Sequence, residues 1–202
     1  MIQTKSHPSV ACAGILTMTK RSWLIAVAIL FITGSFTVGR STGAQWNTPA
    51  LQRLMHEWDV KLEKMELHLQ PAMRRAGVDM WIIMSREFNV DPMLQMFGDY
   101  GISGWYGHRN AYIFFDPGDN LPLERTLLGT HQSGRMRDFF PTIISYGEEG
   151  LKPHLAEFIN NRDPQRIAIN RSRTVAMADG ITVELLAFLE EAIGPVYSSR
   201  LI

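Results

Sequence analysis

A single cysteine, Cys12, among 202 residues removes several kinds of chemistry at once. No intramolecular disulfide can form, and beyond residue 12 there is neither a thiol ligand for zinc nor a thiol nucleophile. Location stays open, because reducing compartments and thiol-avoiding exported proteins both produce this pattern. Excess positive charge is missing as well: 20 Lys and Arg balance 20 Asp and Glu. The first 44 residues carry Lys5, Lys20, Arg21 and Arg40 and no acid, which leaves the remainder at about −4. Clustered Lys and Arg would mark a nucleic-acid footprint, so nucleic acid is not an expected partner. Several catalytic signatures are also absent. There is no G-x-S-x-G elbow, and the glycines at 98, 101, 104 and 107 have neither a P-loop lysine nor dinucleotide spacing. His56-Glu57 opens like the zinc-protease helix H-E-x-x-H, but Val60 stands where the second histidine belongs. His68 and His154 occupy helical positions with no acidic or cysteine partner at ligand spacing.

What is present begins with a secretory pattern. Lys20-Arg21 precede an apolar run over residues 23–31, extended more weakly to residue 38, and Thr42 and Ala44 then fit the small positions of a cleavage site. The run falls short of the roughly 20 apolar residues of a spanning helix. The expected organisation is therefore a signal peptide over 1–44, cleaved after Ala44, and one domain over 45–202. An uncleaved membrane anchor is the alternative, and export to a periplasmic or extracellular space follows from either. Met18 directly before Thr19-Lys20-Arg21 is a candidate true start, in which case Cys12 is never made.

Beyond the signal the apolar pattern alternates between periods. Leu51, Leu54, Met55, Trp58, Leu62, Met65 and Leu69 recur at steps of three and four and predict an amphipathic helix, kinked or restarted at Pro71. Residues 72–76 extend it, with Arg74 and Arg75 in the last turn and Gly77 as a left-handed cap. The nearly continuous apolar run 78–84 predicts a strand buried on both faces. Asp91-Pro92 opens a short helix to Met96, and 110–115 and 125–130 flank the turn Asp116-Pro117-Gly118-Asp119 as a hairpin. Another strand is expected at 142–146. A helix follows with Leu151, Leu155, Phe158 and Ile159 inward and Glu148 and Glu149 at its start, and a strand at 166–170 comes next. A last helix over 182–192 buries Leu185, Leu186, Leu189 and Ile193, is stopped by Gly194-Pro195, and leads into a strand at Val196-Tyr197. Helices alternating with strands define an α/β fold. The chain ends on apolar Leu201-Ile202 with no polar tail, the look of an interrupted domain.

Two constellations could carry chemistry. His108 and His131 border predicted strands, with Asp116 as an oxygen donor, and would be the centre of a self-contained metal enzyme. The more distinctive segment is 77–92, whose strand delivers Arg86, Glu87, Asn89 and Asp91 at its C-terminal end, where open α/β sheets gather ligand residues. The plainer reading of these four is an Arg86–Glu87 ion pair with Asp91 as a helix cap.

At these residues the sequence resembles the N-terminal domain of the aminopeptidase P, prolidase and creatinase family. The resemblance rests on Met73-Arg74-Arg75-Ala76-Gly77-Val78-Asp79-Met80-Trp81-Ile82-Ile83, Arg86-Glu87-Phe88-Asn89-Val90-Asp91-Pro92, Ile169-Asn170-Arg171-Ser172 and Ala178-Asp179-Gly180-Ile181-Thr182. It implies a mixed sheet flanked by helices with ribonuclease H-like layering. It also implies a following pita-bread domain in which an Asp, Asp, His, Glu, Glu set holds two metal ions (Mn, Zn or Co) for hydrolysis of proline-containing peptides. None of those ligands falls within this chain, so no metal or catalytic residue is carried over and the chain alone is expected to be inactive. The N-terminal domain would shape substrate access and oligomer contacts, and its partners would be the catalytic domain of the same or a neighbouring chain and other copies of itself. A free-standing secreted binding module of the same fold is the alternative.

Overall fold

The computed structural model describes residues 48–87, 89–97, 108–129 and 135–202, without the side chain of Gln95. The signal segment with Ala44, the glycine-rich stretch 98–107 and His131 lie outside the described residues.

Thr48 opens the first helix, α1 (Pro49–Lys64), by accepting a hydrogen bond from Leu51 N, and proline sits in the first turn where its missing N–H is not needed. The helix is not broken at Pro71. It loosens earlier into a π-helical turn (Met65–Leu69) and tightens again as α2 (Gln70–Ala76), so Pro71 occupies a first-turn position of α2. Gly77 ends it at φ 64°, a left-handed conformation that glycine adopts without a Cβ penalty. β1 (Met80–Arg86) follows, then a 3-10 helix (Pro92–Phe97), β2 (Arg109–Phe115) and β3 (Glu124–Leu128). The second half comprises α3 (Met136–Phe139), β4 (Thr142–Ile144), α4 (Leu151–Asn160), β5 (Ile167–Ile169), a 3-10 turn (Ala176–Ala178) and α5 (Val183–Ser198).

The strands form a five-stranded sheet in the order β4-β3-β2-β1-β5. β2 runs antiparallel to β1 and β3, while β1–β5 and β3–β4 are parallel, so this is a mixed sheet flanked by helices and the α/β class expected is the one observed. Register with period two divides the core into two layers. Met80, Ile82 and Met84 of β1 face the same side as Ala111 and Ile113 of β2 and pack under Leu151, Leu155, Phe158 and Ile159 of α4 and Leu185, Leu189 and Ile193 of α5. Ile83, Tyr112, Phe114 and Leu127 face the other side, against Met65, Met73, Leu94, Phe97, Met136 and Phe139. Each fully buried side chain of this size contributes about 1.5–3 kcal/mol, and both faces of β1 and β2 are covered.

Three expectations are corrected. The stripe on α1 is only half covered: the helix buries none of its residues, Met55 is 40% exposed, and Trp58 is half-buried with the Arg135 guanidinium 5.8 Å from its ring centre. Leu186 is likewise only half-buried. Val196-Tyr197 is not a strand, because the backbone leaves the helix at Gly194 (φ 73°, ψ 173°) and turns helical again after Pro195. The extended pairing comes at Leu201-Ile202, where Ile202 N donates to Ile167 O and Ile169 N to Ile202 O along the free edge of β5.

Candidate functional site

The segment that ends β1 turns back on itself at once. Arg86 N donates to Asn89 O and Asn89 N to Arg86 O, so Asn89 enters the site through its backbone and the chain reverses in four residues. Asp91 then caps the 3-10 helix, its Oδ1 accepting from Met93 N at 2.9 Å. This much is the plainer sequence reading. Its other half fails, because Arg86 pairs with Glu184 in the first turn of α5 and not with Glu87. Glu184 also takes Arg109, so one carboxylate bridges two arginines that sit directly opposite each other on β1 and β2 and would otherwise repel. The hydrogen bonds from Arg86, then from Arg109, hold the Glu184 carboxyl below its ordinary range. Glu87 Oε2 is buried without a hydrogen-bond partner among the described residues.

Asp91 is fully buried, and beside the local Met93 N–H its partner comes from far along the chain. Asn170, just after β5, donates from Nδ2 to Asp91 Oδ1 at 2.7 Å, while its own Oδ1 accepts from Trp81 Nε1 at 2.8 Å. One amide thus joins the indole of β1 to the carboxyl that caps the 3-10 helix. Asp91 Oδ2 has no hydrogen-bond partner among the described residues and lies against Gly180, where an added Cβ would stand 2.1 Å from it. Burial pushes the Asp91 carboxyl above its ordinary value, and the Met93 N–H and the Asn170 amide pull the other way. The geometry makes Arg86 and Asp91 anchors of a clasp between β1, β5 and α5.

Of the histidine constellation, His108 and Asp116 are described, and they do not come together. His108 precedes β2 and Asp116 follows it, so a seven-residue strand, roughly 23 Å long at about 3.3 Å per residue, separates them. Asp116 is engaged by Arg74 through both oxygens, by Gln70 and by Gly118 N; these bonds, Arg74's first, hold its carboxyl at about 2. Among the described residues no group of three or more His, Cys, Asp or Glu could hold a metal ion. His154 does have an acidic partner, Glu149 Oε1 at 2.9 Å, which the sequence reading overlooked because the spacing of five spans the helix start. The bonds from Gly147 N and then His154 lower the Glu149 carboxyl to about 2. A cleft of about 470 Å³ opens at the Asp116 end of the sheet, and two of its three carboxylates are committed: Asp79 accepts from Gln165 N and Arg166 N, and Asp116 from Arg74, while Asp119 stands at the turn.

Sequence reasoning missed Glu184 and Asn170 as the partners of Arg86 and Asp91. The signal available was that Asn170 and Gly180 both fall in segments carrying the family resemblance.

Among solved structures, an Xaa-Pro dipeptidase from Bacillus anthracis is similar to this chain with a TM-score of 0.38 and 12% sequence identity. The match covers 74% of this chain and 33% of that one, so the chain spans about a third of the dipeptidase's length. No family profile matches the sequence, and no curated protein matches it.

Proposed function

We propose that this chain is the non-catalytic N-terminal domain of an exported Xaa-Pro aminopeptidase-like metallohydrolase, in which it shapes substrate access and contributes oligomer contacts. The observation that carries the reading is the buried Asn170–Asp91 hydrogen bond at 2.7 Å. It joins two of the segments on which the family resemblance rests, 79 residues apart, with Gly180 of a third packed on the same carboxylate. Chance likeness of short segments gives no reason for them to meet at one clasp. The role is structural in kind: the clasp holds charge pairs and a capped helix and offers no nucleophile with an adjacent base. Hydrolysis, with the divalent metal pair, belongs in this reading to a pita-bread domain that is a partner of this one. The test is the reading frame that continues past the codon for Ile202. An open frame encoding the Asp, Asp, His, Glu, Glu set supports the proposal; a stop codon followed by an unrelated gene favours a free-standing secreted binding module.

A further inference from the structure

Next to the clasp, a cavity of about 290 Å³ opens between the π-helical turn and the 3-10 helix. Its walls are Met65, Leu69, Trp81, Met93, Met96 and Phe97, and Lys61, Lys64 and His68 also line it, with no acidic residue among the described lining groups. We propose that this cavity binds a small amphipathic monocarboxylate, an alkyl or aryl chain ending in one anionic head.

Four features of the cavity select that class. Size is the first: at about 30 Å³ for each water-sized volume, the space takes on the order of ten non-hydrogen atoms, near the lower end of ligand pockets. Lining is the second, since methionines surround an indole edge and thioether chains adapt to unbranched or flat apolar groups. Charge is the third. Lys61 is committed to Glu57, whereas Lys64 and His68 form no ion pair with the described residues and lie four apart on adjoining turns, so an anion is the missing partner. The fourth is preorganisation. Trp81 is fixed by the Nε1 bond to Asn170 and by ring contacts with Phe97 at 5.6 Å and Phe114 at 5.4 Å, and Met93 by its backbone bond to Asp91. The π-helical turn that supplies Met65, His68 and Leu69 is a distortion of the kind that occurs frequently at functional sites. This inference is independent of the domain assignment above, and neither fails with the other.

Calorimetric titration of the full 202-residue chain at pH 7 with hexanoate, octanoate, octanol and octylamine tests it. Affinity should rise about four-fold per methylene from hexanoate to octanoate, and octylamine should give no binding. The variant K64Q/H68Q, altered at two exposed positions, should weaken octanoate about five-fold and leave octanol unchanged. Ala72 lines the same cavity, and Ala72→Phe should abolish binding of both. Methyl-labelled methionine spectra locate the ligand without relying on that variant's folding: the Met65 and Met93 methyl signals should shift on adding octanoate. Absence of octanoate binding, octylamine binding as well as octanoate, or binding that leaves both methyl signals unmoved would overturn the proposal.

Discussion

Replacing Asn170 by alanine tests the clasp at the residue on which it turns. The change removes two bonds together, the donation to Asp91 Oδ1 and the acceptance from Trp81 Nε1. A buried polar group left without its partner costs about 1–3 kcal/mol. Asp91 is fully buried and already carries one oxygen without a partner among the described residues, so its share belongs at the upper end. Trp81 is half-buried, so its share belongs at the lower end. The expected loss is about 3–4 kcal/mol at pH 7. The pH dependence has a definite sign. The folded-state Asp91 carboxyl is raised by burial, and losing the Asn170 amide raises it further. The stability tied to its protonated form is complete below the unfolded value and is lost as pH rises through the folded one. The deficit of the variant should therefore shrink as pH falls from 7 toward the ordinary carboxylate value of 3.8. Urea titrations followed by circular dichroism at both pH values, compared at equal m-value, measure it. A loss below about 1 kcal/mol, or a deficit that grows with acid, would refute the reasoning.

Gly180→Ala should destabilise by about 1–3 kcal/mol, because the added methyl meets a carboxylate held by two hydrogen bonds and the pair must shift; a neutral melting temperature would show that Asp91 has room to move. The Asp116 carboxyl, held at about 2 chiefly by Arg74, contributes stability that is present above its ordinary value of 3.8 and lost as pH falls toward 2. That contribution is at most about 2 kcal/mol, reduced by screening around the 42%-exposed Arg74, and Arg74→Met should flatten this part of an acid titration curve. N-terminal sequencing of protein recovered from the exported fraction should begin at Gln45; an intact chain starting at Met1 or Met18 in the membrane fraction would mean an anchor instead.

The sheet was legible because its signals are local. The run 78–84, the turn at 116–119 and the stripe Leu151, Leu155, Phe158, Ile159 each follow from period and turn chemistry, and each lies within two residues of an observed element. The errors arose where tertiary context decides. Trp58 shares a helical period with Met65, yet only Met65 is buried, since periodicity marks the face and not how far the core extends along it. Pro195 can end a helix or begin the next turn, and at that position it does both. The site was half legible. That Asp91 caps a helix can be read from Asp91-Pro92 alone, but Asn170 and Glu184 lie 79 and 98 residues from their partners, a separation at which no periodicity connects them.

The central claim is that this domain serves a metallohydrolase it does not itself complete. Antibodies raised against residues 135–202 can capture the native protein from the cells that produce it, and the captured material can be assayed on an Xaa-Pro peptide with added manganese, zinc or cobalt. The account predicts metal-dependent turnover that a chelator abolishes, carried by a species larger than 22.9 kDa, while the purified 202-residue chain shows none. Captured protein no larger than 22.9 kDa and without turnover would contradict it, as would turnover by the 202-residue chain alone that His108→Ala and His131→Ala remove.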